Sequence, residues 1–357
     1  MDAPTFELER WFAEVEAGAD VMLAESGVRS LPASDFDTDL GELGYVIPTN
    51  GEPALRAAIG QRYGRSADEV VCTVGTQEAN FLAFQSLLSP GDHAVVVTPT
   101  YQSLHAIPDS ICDVTRVELA APDWTLDVDA VAEAIRPETE LVVLNNPNNP
   151  TGHQHDAETV EAVYDLAADA DAYLLGDEVY RRLAPDPAPA VASLGEHGIS
   201  TAGLSKSYGL AGCRFGWLAG PEDAVEDVEA WKDYTTISPG TFGHHVAEQV
   251  FGVGGFESRE AELRQAALDH VETNAEITAE WAREHDLDWD DPVGCNVLLD
   301  VPDGFDDSRA FCRVVVDEAS VVLAPGDCFG VEGTFRLGFG LPTEELRDGL
   351  ERVAGVL

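Results

Sequence analysis

Leu141-Val142-Val143-Leu144-Asn145-Asn146-Pro147-Asn148-Asn149-Pro150-Thr151-Gly152 sets the pattern of the whole chain. An apolar strand runs into a loop stiffened by two prolines among polar residues. Ala157 to Ala168 then has helical periodicity, and Ala172 to Leu175 is the next strand. The same unit recurs on the N-terminal side. Glu69 to Val74 reads as a strand and Thr76 to Leu88 as a helix, followed by strands at His93 to Thr98 and Cys112 to Leu119 and a helix at Val128 to Ile135. On the C-terminal side, strands are expected at Ser200 to Leu204 and Arg214 to Leu218. Strands alternating with crossover helices predict a three-layer α/β/α domain around a mostly parallel sheet.

The flanks read differently. An amphipathic segment, Phe6 to Val15, opens the chain, and Glu52 to Tyr63 has helical spacing after a loop-like Leu43 to Gly51. Phe256 to about His285 is a long charged helix pattern of the kind that bridges domains. Beyond it, Asn296 to Val301, a helix at Ser308 to Glu318, strands near Val321 and Phe335 and a helix at Glu344 to Val353 suggest a smaller α+β unit. The expected division is an N-terminal arm (1–40) belonging to the small domain, a large domain (41–280) and a small C-terminal domain (281–357).

Composition narrows the possibilities. The 357 residues carry 66 acidic and 20 basic side chains, a formal net charge of −46. The acids are dispersed, which suits a globular protein in concentrated salt, where the Debye length is about 3 Å at 1 M. Nucleic-acid binding needs a basic face that this chain can hardly build. No run of about 18 apolar residues predicts a membrane span, and the first residues lack the marks of a signal peptide, so a cytoplasmic protein is expected. Six cysteines without C-x-x-C spacing read as buried thiols, and nine histidines without a ligand motif predict no metal.

Chemistry collects at four strand ends, where ligands sit in open α/β sheets. Gly75-Thr76-Gln77 is a glycine turn opening a helix, suited to an anion or serving as an ordinary turn. The Asn145–Gly152 loop can fix an amide, Asn149 among them. Asp177 terminates an apolar strand and must find a cation or donor; a Mg²⁺ acid is the competing reading, without a phosphate-loop lysine to accompany it. Lys206 is one of only two lysines, in Leu204-Ser205-Lys206-Ser207-Tyr208, with Arg214 eight residues on. Lysine, unlike arginine, can lose its proton and act as an amine nucleophile.

A phosphate cradle, a buried acid, an oriented amide and a nucleophilic lysine are what pyridoxal phosphate needs. From about Tyr45 to Leu341 the chain resembles the class I/II aminotransferases, the fold-type-I pyridoxal-phosphate enzymes. That resemblance implies a Lys206 aldimine, with Lys206 also moving the α-proton, and Asp177 pairing with the ring nitrogen. It implies Asn149 and Tyr180 on the ring's phenolic oxygen, Tyr101 stacked on the ring, and Gly75, Thr76, Gln77, Ser205 and Arg214 around the phosphate. Arg336 would grip the substrate carboxylate, with Asn149 beside it, and Tyr45 would reach in from a second subunit of a homodimer. The implied reaction moves an amino group from an L-amino acid to a 2-oxo acid, 2-oxoglutarate by family habit, in two stages. Taken singly, Tyr101 and Tyr180 also read as core aromatics, Arg336 as a surface ion pair and Tyr45 as a loop anchor.

Three departures stand out. Gly203 replaces a phosphate-binding serine, Phe215 replaces a small aliphatic residue, and Ala24-Glu25-Ser26-Gly27-Val28 lacks the family's Gly-x-Pro-x-Phe pattern. A lyase, cyclase or decarboxylase would use the same cradle; a non-catalytic cofactor-binding regulator would show an extra DNA-binding segment or a lost lysine. The sequence does not name the donor.

Overall fold

The computed structural model describes residues 4–357. Seven strands, β1 (Val70–Thr73), β2 (His93–Thr98), β3 (Asp113–Glu118), β4 (Thr139–Asn145), β5 (Tyr173–Asp177), β6 (Gly198–Gly203) and β7 (Gly216–Ala219), form one sheet in the order β3-β2-β4-β5-β6-β7-β1. Every pairing is parallel except the two that β7 makes with β6 and β1. The parallel strands are linked by crossovers, so helices cover both faces and the interior strands β2, β4 and β5 are largely apolar and buried, while the edge strand β3 is mostly polar.

Alternation along β2 shows the layering. Ala94 and Val96 pack with Leu82 and Phe84 of α3 (after α1, Glu7–Val15, and α2, Pro53–Gly60, α3 spans Thr76–Leu87). Val95 and Val97 point the other way, onto α5 (Val128–Ala134, following α4, Ser103–Asp109) and α6 (Ala157–Asp169), through Val131, Val160 and Val163. A third cluster seats α2 and α8 (Thr241–Phe251, following α7, Glu222–Lys232) on β1, β6 and β7 through Leu55, Ile59, Val246 and Trp217.

A second sheet holds β8 (Asn296–Asp300), β9 (Ala324–Pro325) and β10 (Thr334–Gly338), antiparallel in the order β8-β10-β9. Its core gathers Trp11 of α1, Val271 and Trp281 of α9 (Glu260–Glu284), Phe311 of α10 (Ser308–Val314) and Leu350 of α11 (Thr343–Ala354). The 25-residue α9 spans both cores, with Leu263 packed on the large sheet's cluster and Ala267 onward in the small one. The N-terminal arm is fastened to the small sheet. Trp11 Nε1 donates to the Leu323 carbonyl at 2.8 Å, Val21 bridges Val321, and Gly338 N–H donates to the Leu23 carbonyl at 2.6 Å.

Several expectations shift. The strand expected at Arg214 starts at Gly216, because Arg214 adopts a left-handed conformation (φ 48°) that turns its side chain back along the loop. The helix expected to begin at Phe256 begins at Glu260. The helix expected to run to Glu318 is α-helical only to Val314 and ends in a π turn closed by Ser320 at φ 57°. Near Val321 there is a single bridge, and the strand is Ala324–Pro325. Helices α4, α7 and α8 were not anticipated by the apolar spacing.

A buried lysine lies under an exposed apolar patch. Lys232 is 2% exposed, its amine bound to the carbonyls of Thr49 and Ile237. Around it, Leu43, Tyr45, Ile47, Trp231, Tyr234, Ile237 and Phe242 are all exposed, and the Thr241 hydroxyl donates to the Gly44 carbonyl.

Gly338 has no room for a side chain: a Cβ there would run into the Glu25 carbonyl. Gly338→Ala must therefore displace the arm, and overpacking of this kind costs about 1–3 kcal/mol. The expected result is a lower urea midpoint with an unchanged m-value.

Candidate active site

The C-terminal ends of β1, β2, β4, β5 and β6 open into one cleft of about 350 Å³, closed on its far side by β10 and the N-terminal arm. Of the residues singled out in the sequence, Thr76, Gln77, Tyr101, Asn149, Asp177, Tyr180, Ser205, Lys206, Arg214 and Arg336 line it. Gly75 lies just behind, and Tyr45 is elsewhere, 71% exposed.

One end of the cleft is built for an anion. Gly75 (φ 82°) precedes the first turn of α3, whose free N–H groups and dipole favour negative charge. Arg214 lies so close over Gly75 that a Cβ there would strike the guanidinium, and its Nη1 donates to Ser205 Oγ at 3.3 Å. Thr76 Oγ1 is buried without a hydrogen-bond partner. The Gly203 departure has a steric reason, since a Cβ there would come within 2.7 Å of Thr76 Oγ1. Phe215 is fully buried behind Arg214, against Trp217 and His244.

At the other end, Asp177 is 5% exposed and no cation touches it. It accepts from Asn80 Nδ2 at 2.8 Å and from the Val179 N–H at 3.2 Å. Burial pushes its pKa up to about 6, against the opposing pull of those two bonds. Asn80 is in turn oriented by Thr201, whose hydroxyl donates to its Oδ1 at 2.6 Å.

Between the two ends lies Lys206. Its amine donates to Ser26 Oγ at 2.9 Å and sits 3.3 Å from Glu25 Oε1, both on the arm. Burial opposes the ammonium, but Tyr180 and Glu25 outweigh it and the pKa is raised. Without a ligand, then, this lysine is held charged by its neighbours, and desolvation alone does not release its proton.

Arg336 is 1% exposed. Its Nη1 donates to Asn149 Oδ1 and its Nη2 to the Ala24 carbonyl, each at 2.7 Å, while its Nε is buried without a partner. It is no surface ion pair. Asn149 is held by its own N–H on Asn145 Oδ1 at 2.7 Å, and Asn145 donates to the Asp177 carbonyl at 2.9 Å. The ring of Tyr101 packs on Phe6 at 5.3 Å, with its hydroxyl donating to Glu9.

Asn80 was missed, and Glu25 and Ser26 entered only as part of the arm stretch that departs from the family pattern, without a role. Asn80 had a signal, being a polar residue among Ala79, Leu82 and Ala83 on the buried side of α3. For the arm residues the resemblance marked the stretch, but a loop distant in sequence carries no periodicity that would give either side chain its contact with Lys206.

The family model for "Aminotransferase class I and II" matches residues 31–353. The chain belongs to the class I and II aminotransferases. Among relatives of this aminotransferase, the aspartate/prephenate aminotransferase of Thermus thermophilus is 30% identical, over 89% of this chain and 84% of that one. Capreomycidine synthase of Streptomyces vinaceus is also 30% identical, over 98% and 93%. A solved PLP-dependent aminotransferase from Streptococcus suis superposes with a TM-score of 0.92 at 30% identity, covering 100% of this chain and 98% of that one.

Asp177 gives a test that needs no turnover. Its folded pKa of about 6 lies above the unfolded value of about 3.9. The folded state therefore binds the extra proton between those values, and stability falls as pH rises through that window. Above it the penalty is complete. The cofactor-free Asp177→Asn variant is expected to melt at or above the wild-type midpoint at pH 7.5, with the difference vanishing near pH 4.

Proposed function

We propose that the protein is a pyridoxal-phosphate-dependent aminotransferase moving an amino group from an L-amino acid to a 2-oxo acid in two stages through one cleft. The observation that carries this reading is that a cationic anion cradle, a buried carboxylate without a cation and a cleft-lining lysine share that cleft. The residues fit the group: the unpartnered Thr76 hydroxyl and Arg214 suit a phosphate, and Asp177 suits a protonated ring nitrogen.

Pyridoxal phosphate, when bound, supplies an electron sink for negative charge developing at the substrate α-carbon. Asp177 supports that sink by keeping the ring nitrogen charged, a contact that also relieves the cost of its own burial. Lys206 carries the amine that holds the cofactor and moves a proton at the α-carbon. Arg336 offers a planar fork of donors for the substrate carboxylate, with Asn149 orienting it. Tyr180, 2% exposed beside Lys206, and Tyr101 wall the cleft and exclude water.

The same cradle supports a cyclase or lyase outcome, and capreomycidine synthase is among the relatives. The discriminating experiment records absorbance in high salt with the cofactor, for wild type and Lys206→Ala, then analyses products. A visible band in wild type only, bleached by an amino acid with release of its 2-oxo acid, is expected. No lysine-dependent band rejects the reading, and a product without an oxo acid favours the cyclase or lyase.

We also propose a homodimer in a reducing, salt-rich cytoplasm, with Tyr45 serving the partner's site. All six cysteines are free thiols, and the exposed apolar group around Tyr45 and Tyr234 is what a dimer would bury. Sedimentation should give twice the 38.2 kDa chain mass. The double variant Ile47→Asp/Tyr234→Asp should sediment as a monomer.

A further inference from the structure

The cleft is lined by charges of both signs. Its cations are Lys206, Arg214 and Arg336, each already committed. Its uncommitted charges are all acidic: Glu25 beside the lysine, with Glu9 and Glu16 farther along the arm. An amino acid with a second carboxylate therefore finds no cation to receive it. Nor does the exposed face described above offer one to a second copy, since residues 41–50 and 231–242 contain no basic side chain except Lys232. Lys232's amine is already bound to two carbonyls.

Glu25 differs from the many surface acids. Its neighbour Ala24 supplies the carbonyl that holds Arg336 Nη2 at 2.7 Å, and its own Oε1 is 3.3 Å from Lys206 Nζ. It thus lines the cleft beside both the group that anchors the α-carboxylate and the group that acts at the α-carbon, with its side chain half exposed. With the lysine amine committed to the cofactor, Glu25 keeps only the more distant charge of Arg336 and can pair with a cation on the substrate. In molar salt the chain's overall charge is screened beyond about 3 Å, so only a carboxylate within contact range can still discriminate.

We infer that Glu25 sets donor specificity, selecting amino acids with a cationic side chain and rejecting dicarboxylic ones. This rests on the aminotransferase reading. The oxo-acid partner enters the same cleft, so a monocarboxylic acceptor such as pyruvate is favoured over 2-oxoglutarate.

The test is a donor panel on the cofactor-loaded enzyme in 2–3 M KCl (a working range of about the screening regime above). Rates of cofactor bleaching are measured with L-ornithine, L-lysine, L-arginine, L-alanine, L-aspartate and L-glutamate, for wild type and Glu25→Gln. The cationic donors should exceed the dicarboxylic ones by about 100-fold in kcat/KM, the size of one contact-range charge pair gained and one repulsion avoided. Glu25→Gln should shrink the cationic-to-alanine ratio by about 10-fold or more, chiefly through KM. Aspartate or glutamate leading in wild type overturns the inference. So does a Glu25→Gln variant that slows every donor by the same factor, which would mean that Glu25 only positions Lys206. A wild-type enzyme that forms no Lys206-dependent band with the cofactor removes the aminotransferase reading itself, whereas a band that no donor of the panel bleaches overturns only the inference.

Discussion

Arg336 ties together parts of the chain that lie far apart in sequence. From β10 it donates to Asn149 in the loop after β4 and to the backbone of Ala24 in the N-terminal arm. A guanidinium at 1% exposure needs those acceptors, because a charge removed from water without partners is costly. The cleft's walls therefore come from the large sheet, the small sheet and the arm at once. The Nε left without a partner keeps part of that demand open toward the cleft.

Asp177 poses the opposite problem at the floor. It has donors but no cation, and its raised pKa records that incomplete compensation. The arrangement resembles a lock built under tension: the bare protein carries a carboxylate it holds at a cost, and a ligand bearing positive charge relieves it. Asn80 and Thr201 keep the carboxylate aimed while it waits. The floor is thus ordered by the protein's own hydrogen bonds.

How much of this the sequence disclosed depended on whether a residue's role is local. Asp177, Asn149 and Lys206 stand at strand ends, and alternation of strand and helix revealed those ends directly. Helix α7 escaped notice because acids crowd its apolar stripe, with Val225 and Val228 of Glu222–Lys232 set among five carboxylates. Glu25 and Ser26 were hidden for another reason. They meet Lys206 across some 180 residues, and only the packing of the arm against β10 brings them there. The turn at Arg214 was misread as strand because nothing in its spacing signals a left-handed residue.

The scarcity of lysine acquires a chemical meaning once both copies are located. Aldehydes condense with free side-chain amines wherever they find them, and an ordinary protein surface offers dozens. Here Lys232 is sealed, with its amine engaged by two carbonyls, and Lys206 keeps a quarter of its side chain open to the cleft (26% exposed). A carbonyl reagent meeting the folded chain thus encounters essentially one reactive side-chain amine. With two lysines in 357 residues, the chain offers an aldehyde few competing targets, so selectivity of labelling is written into the composition as well as into the cleft.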